Sequence, residues 1–355
     1  MTTSPTTESL QRFLDDSLGD HAPIEVTAMI GGGSCEVFAV DRGGSRWVLR
    51  RAPQHASSAT AHDVLREFRI LDAIKDEPVR IARPVLACDD PAVFDAPFYV
   101  MHRVDGTPIR QCVPEAWAAE PGSHGHALEE LVDALVAIHA VDWQACGLGD
   151  LAPKPDYLAR QLTRWIDQLD SYGGRDLPAA HDIGRWLAAH RPGDQAHALC
   201  HGDYKLDNVL YAPDAPPRLL AVVDWEMAAI GDPLVDLAWA LIFHPGPEGT
   251  MRLGMAKQPR FAVEHLPDRA ALVERYTAGS GRDTRALGWY DVFARWKLAI
   301  VLEGSYAKFV RGLSDKPIHE HFGKQADLLL DSATALIATT TGPTTTGPTT
   351  TGATT

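Results

Sequence analysis

The chain has 355 residues, 45% of them hydrophobic, which is enough to bury a sizeable core and to build two domains or lobes. Its formal net charge of −14 at pH 7 argues against nucleic acid and against anionic membrane surfaces as partners, since both reward Lys and Arg. No basic region with an apolar stretch marks a signal peptide and no apolar run is long enough to span a membrane, while the five scattered cysteines form no C-x-x-C pair; the expected setting is the reducing cytoplasm, with no metal held through cysteine.

In chain order, "PIEVTAMI", "CEVFAVD" and "SRWVLRR" read as strands, being rich in β-branched and aromatic residues and punctuated by "GGGS" and "DRGG". The "RGGS" between the last two is a hairpin signal. A helical pattern follows over residues 60–75, with Val64, Phe68, Leu71 and Ile74 on one face. "IARPVLACD" and "APFYVMHRV" are two more strand candidates. Five strands with one inserted helix make a small β-rich lobe, residues 1–104. From residue 105 to 338 helical periodicity dominates, in "ALEELVDALVAIHAV", "DYLARQLTRWIDQL", "HDIGRWLAAH", "PLVDLAWALIF", "RAALVERYTAG" and "ALGWYDVFARWKLAIVLEGSYAKFVRGL". In the last of these Trp289, Tyr290, Trp296 and Tyr306 read as core. Residues 339–355, "TTTGPTTTGPTTTGATT", are low in complexity, offer little to bury and are expected to be disordered. The fold class is α+β.

Two segments interrupt the helices. "HALCHGDYKLDNVLYAP" reads as two short strands flanking a polar loop that carries Asp203 and Asn208, and "LLAVV" is a short strand delivering Asp224 at its end. Carboxylate and amide oxygens are what Mg²⁺ takes. In phosphoryl transfer an Asp orients the attacking hydroxyl and accepts its proton, while an Asn and a second Asp hold metal. The spacing Asp-x-x-x-x-Asn followed by a strand-borne Asp is the arrangement of the protein kinases. Read alone, Asp203 and Asn208 would be turn residues capping backbone groups.

"HGDYKLDN", "VVDWE" and "GDPLVDLAW" together resemble the aminoglycoside phosphotransferase/choline kinase-like family, and the likeness covers roughly residues 20 to 335. "YLARQLTRW" and "APFYVMHRVDG" bring it closer to the kinase domains associated with acyl-CoA dehydrogenases. The resemblance implies a bilobal protein-kinase-like fold, ATP and Mg²⁺ as cofactors, and a small-molecule hydroxyl as phosphate acceptor. It implies Asp203 as catalytic base, Asn208 and Asp224 as metal ligands, and His201 as a loop stabiliser. Lys205 either neutralises the transferring phosphoryl group or is a solvated loop lysine. Asp232 and Pro233 read as N-cap and first turn of the next helix, with Asp236 in support of the loop backbone; Glu226 has either a metal-side or a cation-side neighbour.

For the nucleotide, Gly31, Gly32, Gly33 and Ser34 lie between the first two strands, where glycines let backbone N–H groups approach phosphate; a plain hairpin would use the same residues. By resemblance Arg50 stands where the fold carries a lysine, Glu67 is its helix partner, and Met101, His102 and Val104 form the adenine-facing hinge. Strand alternation sends Arg50 and Arg51 to opposite faces, and Arg50 is the one assigned to the cleft. Arg for Lys is the main departure, because guanidinium places its charge differently. The acceptor to which the resemblance points is a hydroxyacyl-CoA or related metabolite. The alternatives are an aminoglycoside O-phosphotransferase, a nucleotide-binding pseudokinase and a metal-dependent phosphohydrolase.

Overall fold

β-Branched and aromatic residues at alternate positions build the first sheet, and apolar residues at helical spacing build nearly everything else. The structure, a computed structural model, describes residues 5–29, 35–53, 63–110, 113–120, 122–153, 155–193, 195–246 and 261–340. The chain starts with α1 (Pro5–Leu18), β1 (Ile24–Ala28), β2 (Glu36–Arg42), β3 (Ser45–Arg51), α2 (Val64–Ala73), β4 (Pro84–Cys88), α3 (Pro91–Phe94), β5 (Phe98–His102) and β6 (Thr107–Pro108). Next come α4 (Glu115–Ala118), α5 (Ser123–His139), α6 (Tyr157–Ser171), α7 (Pro178–Ala189), β7 (Ala198–Cys200), β8 (Val209–Tyr211), β9 (Leu219–Val222) and β10 (Ala229–Gly231). The helices α8 (Pro233–Ile242), α9 (Arg269–Ser280), α10 (Leu287–Val310) and α11 (Phe322–Thr340) complete it. Two units result: residues 1–157 with 194–284, and residues 158–193 with 285–355.

In the first unit the five strands pair antiparallel in the order β1-β2-β3-β5-β4. The β2–β3 turn places Gly43 and Gly44 at φ 54° and 87°, the left-handed pair that a tight hairpin demands, as "RGGS" predicts. One face of the sheet buries Val40, Trp47, Leu49, Phe98 and Val100 against Leu10 and Leu14 of α1. The sequence reading assigned no helix there, although Leu10, Phe13 and Leu14 have the right spacing. Each of these two wholly buried leucines contributes about 2 kcal/mol on area grounds. The opposite face presents Val37, Val48, Arg50 and Met101 to a cleft.

Two smaller sheets, β7 with β10 and β6-β8-β9, carry the loops expected to do chemistry, and α5, α8 and α9 belong to the same unit. The second unit comprises α7, α10, α11 and all but the first residue of α6. Trp289, Tyr290 and Trp296 are buried as expected, with indole N–H groups of Trp289 and Trp296 on the carbonyls of Leu187 and Ala180; Tyr306 is half-buried under the Arg175 guanidinium. The helix α11 runs through Thr340; the rest of the Thr/Gly/Pro tail lies outside the described residues. No described helix is long and apolar enough to cross a membrane. The four described cysteines are unpaired.

Candidate active site

The polar loop between β7 and β8 is anchored from three directions. Tyr204 and Tyr211 donate their hydroxyls to the carbonyls of Leu131 and Ala127 on α5, at 2.7 and 2.6 Å. Asp236 of α8 accepts the backbone N–H groups of His201 (2.5 Å) and Gly202 (2.9 Å). His201 is fully buried; its Nε2 donates to the Val223 carbonyl at 3.0 Å while its Nδ1 receives the Asp203 N–H at 3.3 Å, so one ring ties the loop to the chain leading into Asp224. Gly202 sits at φ 85°, and a Cβ there would collide with the Met227 carbonyl, so this position of "HGD" requires glycine.

Burial alone would raise the Asp236 carboxyl, but His139, His201 and the Gly202 N–H outweigh it and hold the group below the usual carboxylate range. His139 stands behind it with Nε2 at 3.6 Å, its Nδ1 2.7 Å from the Tyr276 hydroxyl.

The Asp203 carboxylate receives four hydrogen bonds. Lys205 Nζ reaches both oxygens, at 2.7 and 2.6 Å. Asn208 Nδ2 donates to Oδ2 at 2.9 Å and to the Asp203 carbonyl at 2.8 Å, and Trp239 Nε1 donates to Oδ1 at 2.9 Å. Burial pushes this carboxyl up, yet Lys205, His201 and the Trp239 N–H leave it below its ordinary value. The group is therefore an ionised, held acceptor at neutral pH.

Asp224 follows β9 in the left-handed conformation, φ 70° and ψ 59°, a region that non-glycine residues seldom occupy outside sites where the surroundings enforce it. The enforcement is visible next door. Glu67 of α2, 1% exposed, accepts the Trp225 N–H at 2.9 Å, and Arg66 donates to the Ala228 carbonyl at 2.5 Å. Arg50 lies 3.1 Å from Glu67 and 3.0 Å from Asp224, with Glu226 at 4.0 Å. Alternation thus sends Arg50 into the cleft, while Arg51 turns to the other face toward Glu36, Asp95 and the rings of Phe38 and Phe94. Burial pushes the Glu67 carboxyl up to about 7, against the pull of Arg50 and the Trp225 N–H. For Arg50 burial works against the charge and Glu67 and Asp224 outweigh it, so the guanidinium stays charged.

Arg50, Asn208 and Asp224 border one cleft of about 510 Å³, whose walls also include Met101, His102 and Val104; Asp203 stands behind Asn208, bonded to its amide. Along the hinge the His102 N–H is taken by the Arg83 carbonyl and the Arg103 N–H by that of Arg46. Gly31, Gly32, Gly33 and Ser34 lie outside the described residues. The donor set fits a hard divalent cation. Asn208 has spent its amide N–H groups on Asp203, which leaves its oxygen for a ligand, and Asp224 touches Arg50 through one oxygen only, its side chain being 35% exposed. Sequence reasoning placed neither Trp239 nor the Tyr276–His139 pair. "GDPLVDLAW" contained the tryptophan, but nothing in the pattern told where its N–H would point.

Residues 25–290, well over half of the chain, match the phosphotransferase enzyme family. The chain belongs to this family. Among curated relatives, acyl-CoA dehydrogenase family member 11 of Gallus gallus is 31% identical over 319 residues, which is 88% of this phosphotransferase and 40% of that protein. The chain therefore spans about 40% of the length of that relative. A solved structure from Ralstonia eutropha, provisionally described as an aminoglycoside phosphotransferase, has a TM-score of 0.80 at 27% identity, covering 94% of this chain and 98% of that one. A thermostable mutant of an aminoglycoside phosphotransferase, solved with ADP and hygromycin B, has a TM-score of 0.58 at 17% identity over 94% of this chain and 100% of that one, and shares the fold. The α+β, kinase-like fold expected from the sequence, β-rich toward the N-terminus and helical toward the C-terminus, is the one observed.

Proposed function

We propose that this phosphotransferase moves the γ-phosphate of ATP, with Mg²⁺, directly to a hydroxyl of a small metabolite. The observation that carries the reading is that Arg50, Asn208 and Asp224 line one cleft, with an ionised Asp203 and its Lys205 partner joined to Asn208 and with Glu67 bracing Arg50. Asp203 accepts the proton of the acceptor hydroxyl as its oxygen bonds to phosphorus and the bond to the ADP oxygen breaks. Lys205 sits two residues from the base and turns its charge to the transferring group. Arg50, braced by Glu67, faces the phosphates. Asn208 and Asp224 hold Mg²⁺, which when bound neutralises phosphate charge. Met101, His102 and Val104 border the adenine. In this reading residues 1–104 serve the nucleotide and residues 105–338 the chemistry and the acceptor.

The relative named for an acyl-CoA dehydrogenase supports a hydroxyacyl-CoA or related metabolite as acceptor; the relative solved with hygromycin B keeps an aminoglycoside as the alternative. The test is ATP consumption with Mg²⁺, without acceptor and then with hydroxyacyl-CoAs, aminoglycosides, choline and sugars. Acceptor-dependent turnover that drops by at least about 10³-fold in Asp203→Ala, with ATP still bound, supports the base. A mutant of near-full activity sinks it. The close contact of Arg50 with Asp224 favours a second reading, a pseudokinase, which predicts ATP binding with no turnover for any acceptor.

A further inference from the structure

At rest Asp203 has no lone pair to spare. A carboxylate oxygen offers about two lone-pair directions. Oδ1 is taken by Lys205 and Trp239, and Oδ2 by Lys205 and Asn208. A base in that condition cannot accept a hydroxyl proton until one donor withdraws. Lys205 is the donor with a second duty at the phosphoryl group, and its withdrawal opens one direction on each oxygen. What remains must then keep the carboxylate from rotating.

Two donors remain, and they differ. Asn208 also has its oxygen to give to a cation. Trp239 Nε1 donates only and accepts nothing, so it cannot compete for the proton that Asp203 is to receive. The indole is 5% exposed and meets the Phe243 ring edge-on at 5.5 Å, and the Lys205 ammonium lies 5.8 Å from that same ring. Trp239 follows Asp236 by three residues on α8, so both project from one face of the helix. The helix that holds the loop backbone through Asp236 thus also reaches the loop carboxylate. We infer that Trp239 is a positioning residue for the base, fixing the plane of the Asp203 carboxylate and reserving one lone pair for the acceptor hydroxyl.

This inference rests on the reading of Asp203 as base, and the experiment separates the two. Acceptor-free hydrolysis of MgATP, with water standing in for the hydroxyl, is measured in Trp239→Phe, which keeps an aromatic ring and loses the N–H. The expected result is a fall in kcat of about tenfold or more at unchanged KM for ATP. In parallel, the Trp239 indole ¹H–¹⁵N resonance, assigned in the unsubstituted protein by its through-space contacts with the neighbouring Phe243 ring, is compared between that protein and Asp203→Asn at neutral pH. It is expected to move upfield when the charged acceptor becomes neutral. Full turnover in Trp239→Phe with Asp203→Ala inactive overturns the positioning role and spares the base; turnover in Asp203→Ala overturns the base. If Trp239→Phe fails to fold, or hydrolysis is too slow to detect, the indole resonance decides, and a signal unmoved by Asp203→Asn overturns the inference.

Discussion

Arg50 is shared between two carboxylates that pull it in different directions. Glu67 holds it against the sheet, buried on both sides, whereas Asp224 is a third exposed and carries an oxygen wanted by a cation. Removing one member of a buried pair leaves the other charge without compensation, which costs about 3–5 kcal/mol. Arg50→Ala is therefore expected to lower the unfolding free energy by about 3 kcal/mol in urea denaturation, and a loss under about 0.5 kcal/mol would show that Glu67 does not depend on it. Arg50→Lys should behave differently. An ammonium reaches Glu67 or a phosphate but cannot fork to Asp224 as well. Calorimetric titration of Mg²⁺ into the ADP complex is expected to give tighter binding in Arg50→Lys than in the unsubstituted protein; weaker binding would mean that the guanidinium does not compete at Asp224. The family resemblance names Arg50 as the one in the cleft, and that Arg50 and Arg51 part to opposite faces is legible in the sequence because strand alternation is a local rule. The bond from Trp239 to Asp203 is not, because it depends on how α8 lies across the loop, a long-range packing outcome with no periodicity to read.

At the scale of elements, α8 organises the site. Asp232 caps it by accepting the Leu234 N–H at 3.0 Å, Pro233 fills its first turn, and Asp236 and Trp239 reach the loop from its face. Because the Asp236 carboxyl is held below its ordinary value, its contribution to stability is fully present above an unfolded value near 3.9 and is lost as pH falls through the lower folded value. Asp236→Asn, which presents an amide N–H where a carboxylate oxygen accepted one, is expected to cost about 2–3 kcal/mol at neutral pH. The gap to the unsubstituted protein should narrow below about pH 4, as seen in urea midpoints taken from pH 7 to pH 3. A gap constant over that range would assign the loss to packing alone. The cap and proline were readable as local signals, and so were the five strands and α2. The helix α1 is weakly signalled because Thr, Ser and Pro, poor interior helix formers, precede Leu10 and Leu14, and α11 because its apolar run begins only after "DKPIHEHF". The Asp203–Asn208 spacing tells of a loop, but Asp236, Tyr204 and His201 explain why that loop has one conformation.

On the scale of the whole molecule the two units differ in what they carry. Each residue proposed to bind nucleotide or cation falls within residues 1–157 or 194–284, whereas the second unit contributes a helical core closed by Arg175 on Glu303 and Asp327. A ligand stabilises what it binds by an amount set by its concentration over Kd, about 2.7 kcal/mol at a hundredfold excess. A chain of two units need not unfold in one step. Scanning calorimetry with saturating MgADP is therefore expected to raise the transition of the first unit by several degrees, on the general scaling of roughly 2–4 °C per kcal/mol for chains of this order. Excess EDTA should remove most of that rise, and Asp224→Asn should make the protein insensitive to EDTA while ADP alone still binds weakly. Whether the second unit melts apart from the first is read in the same scan. A separate transition that stays put with MgADP agrees with a nucleotide site built entirely from the first unit, whereas one that moves as far as the first would require contributions from residues 158–193 or 285–355. A shift untouched by EDTA would remove Asn208 and Asp224 from any metal role, leaving Arg50 and Lys205 as the cations that meet the phosphates.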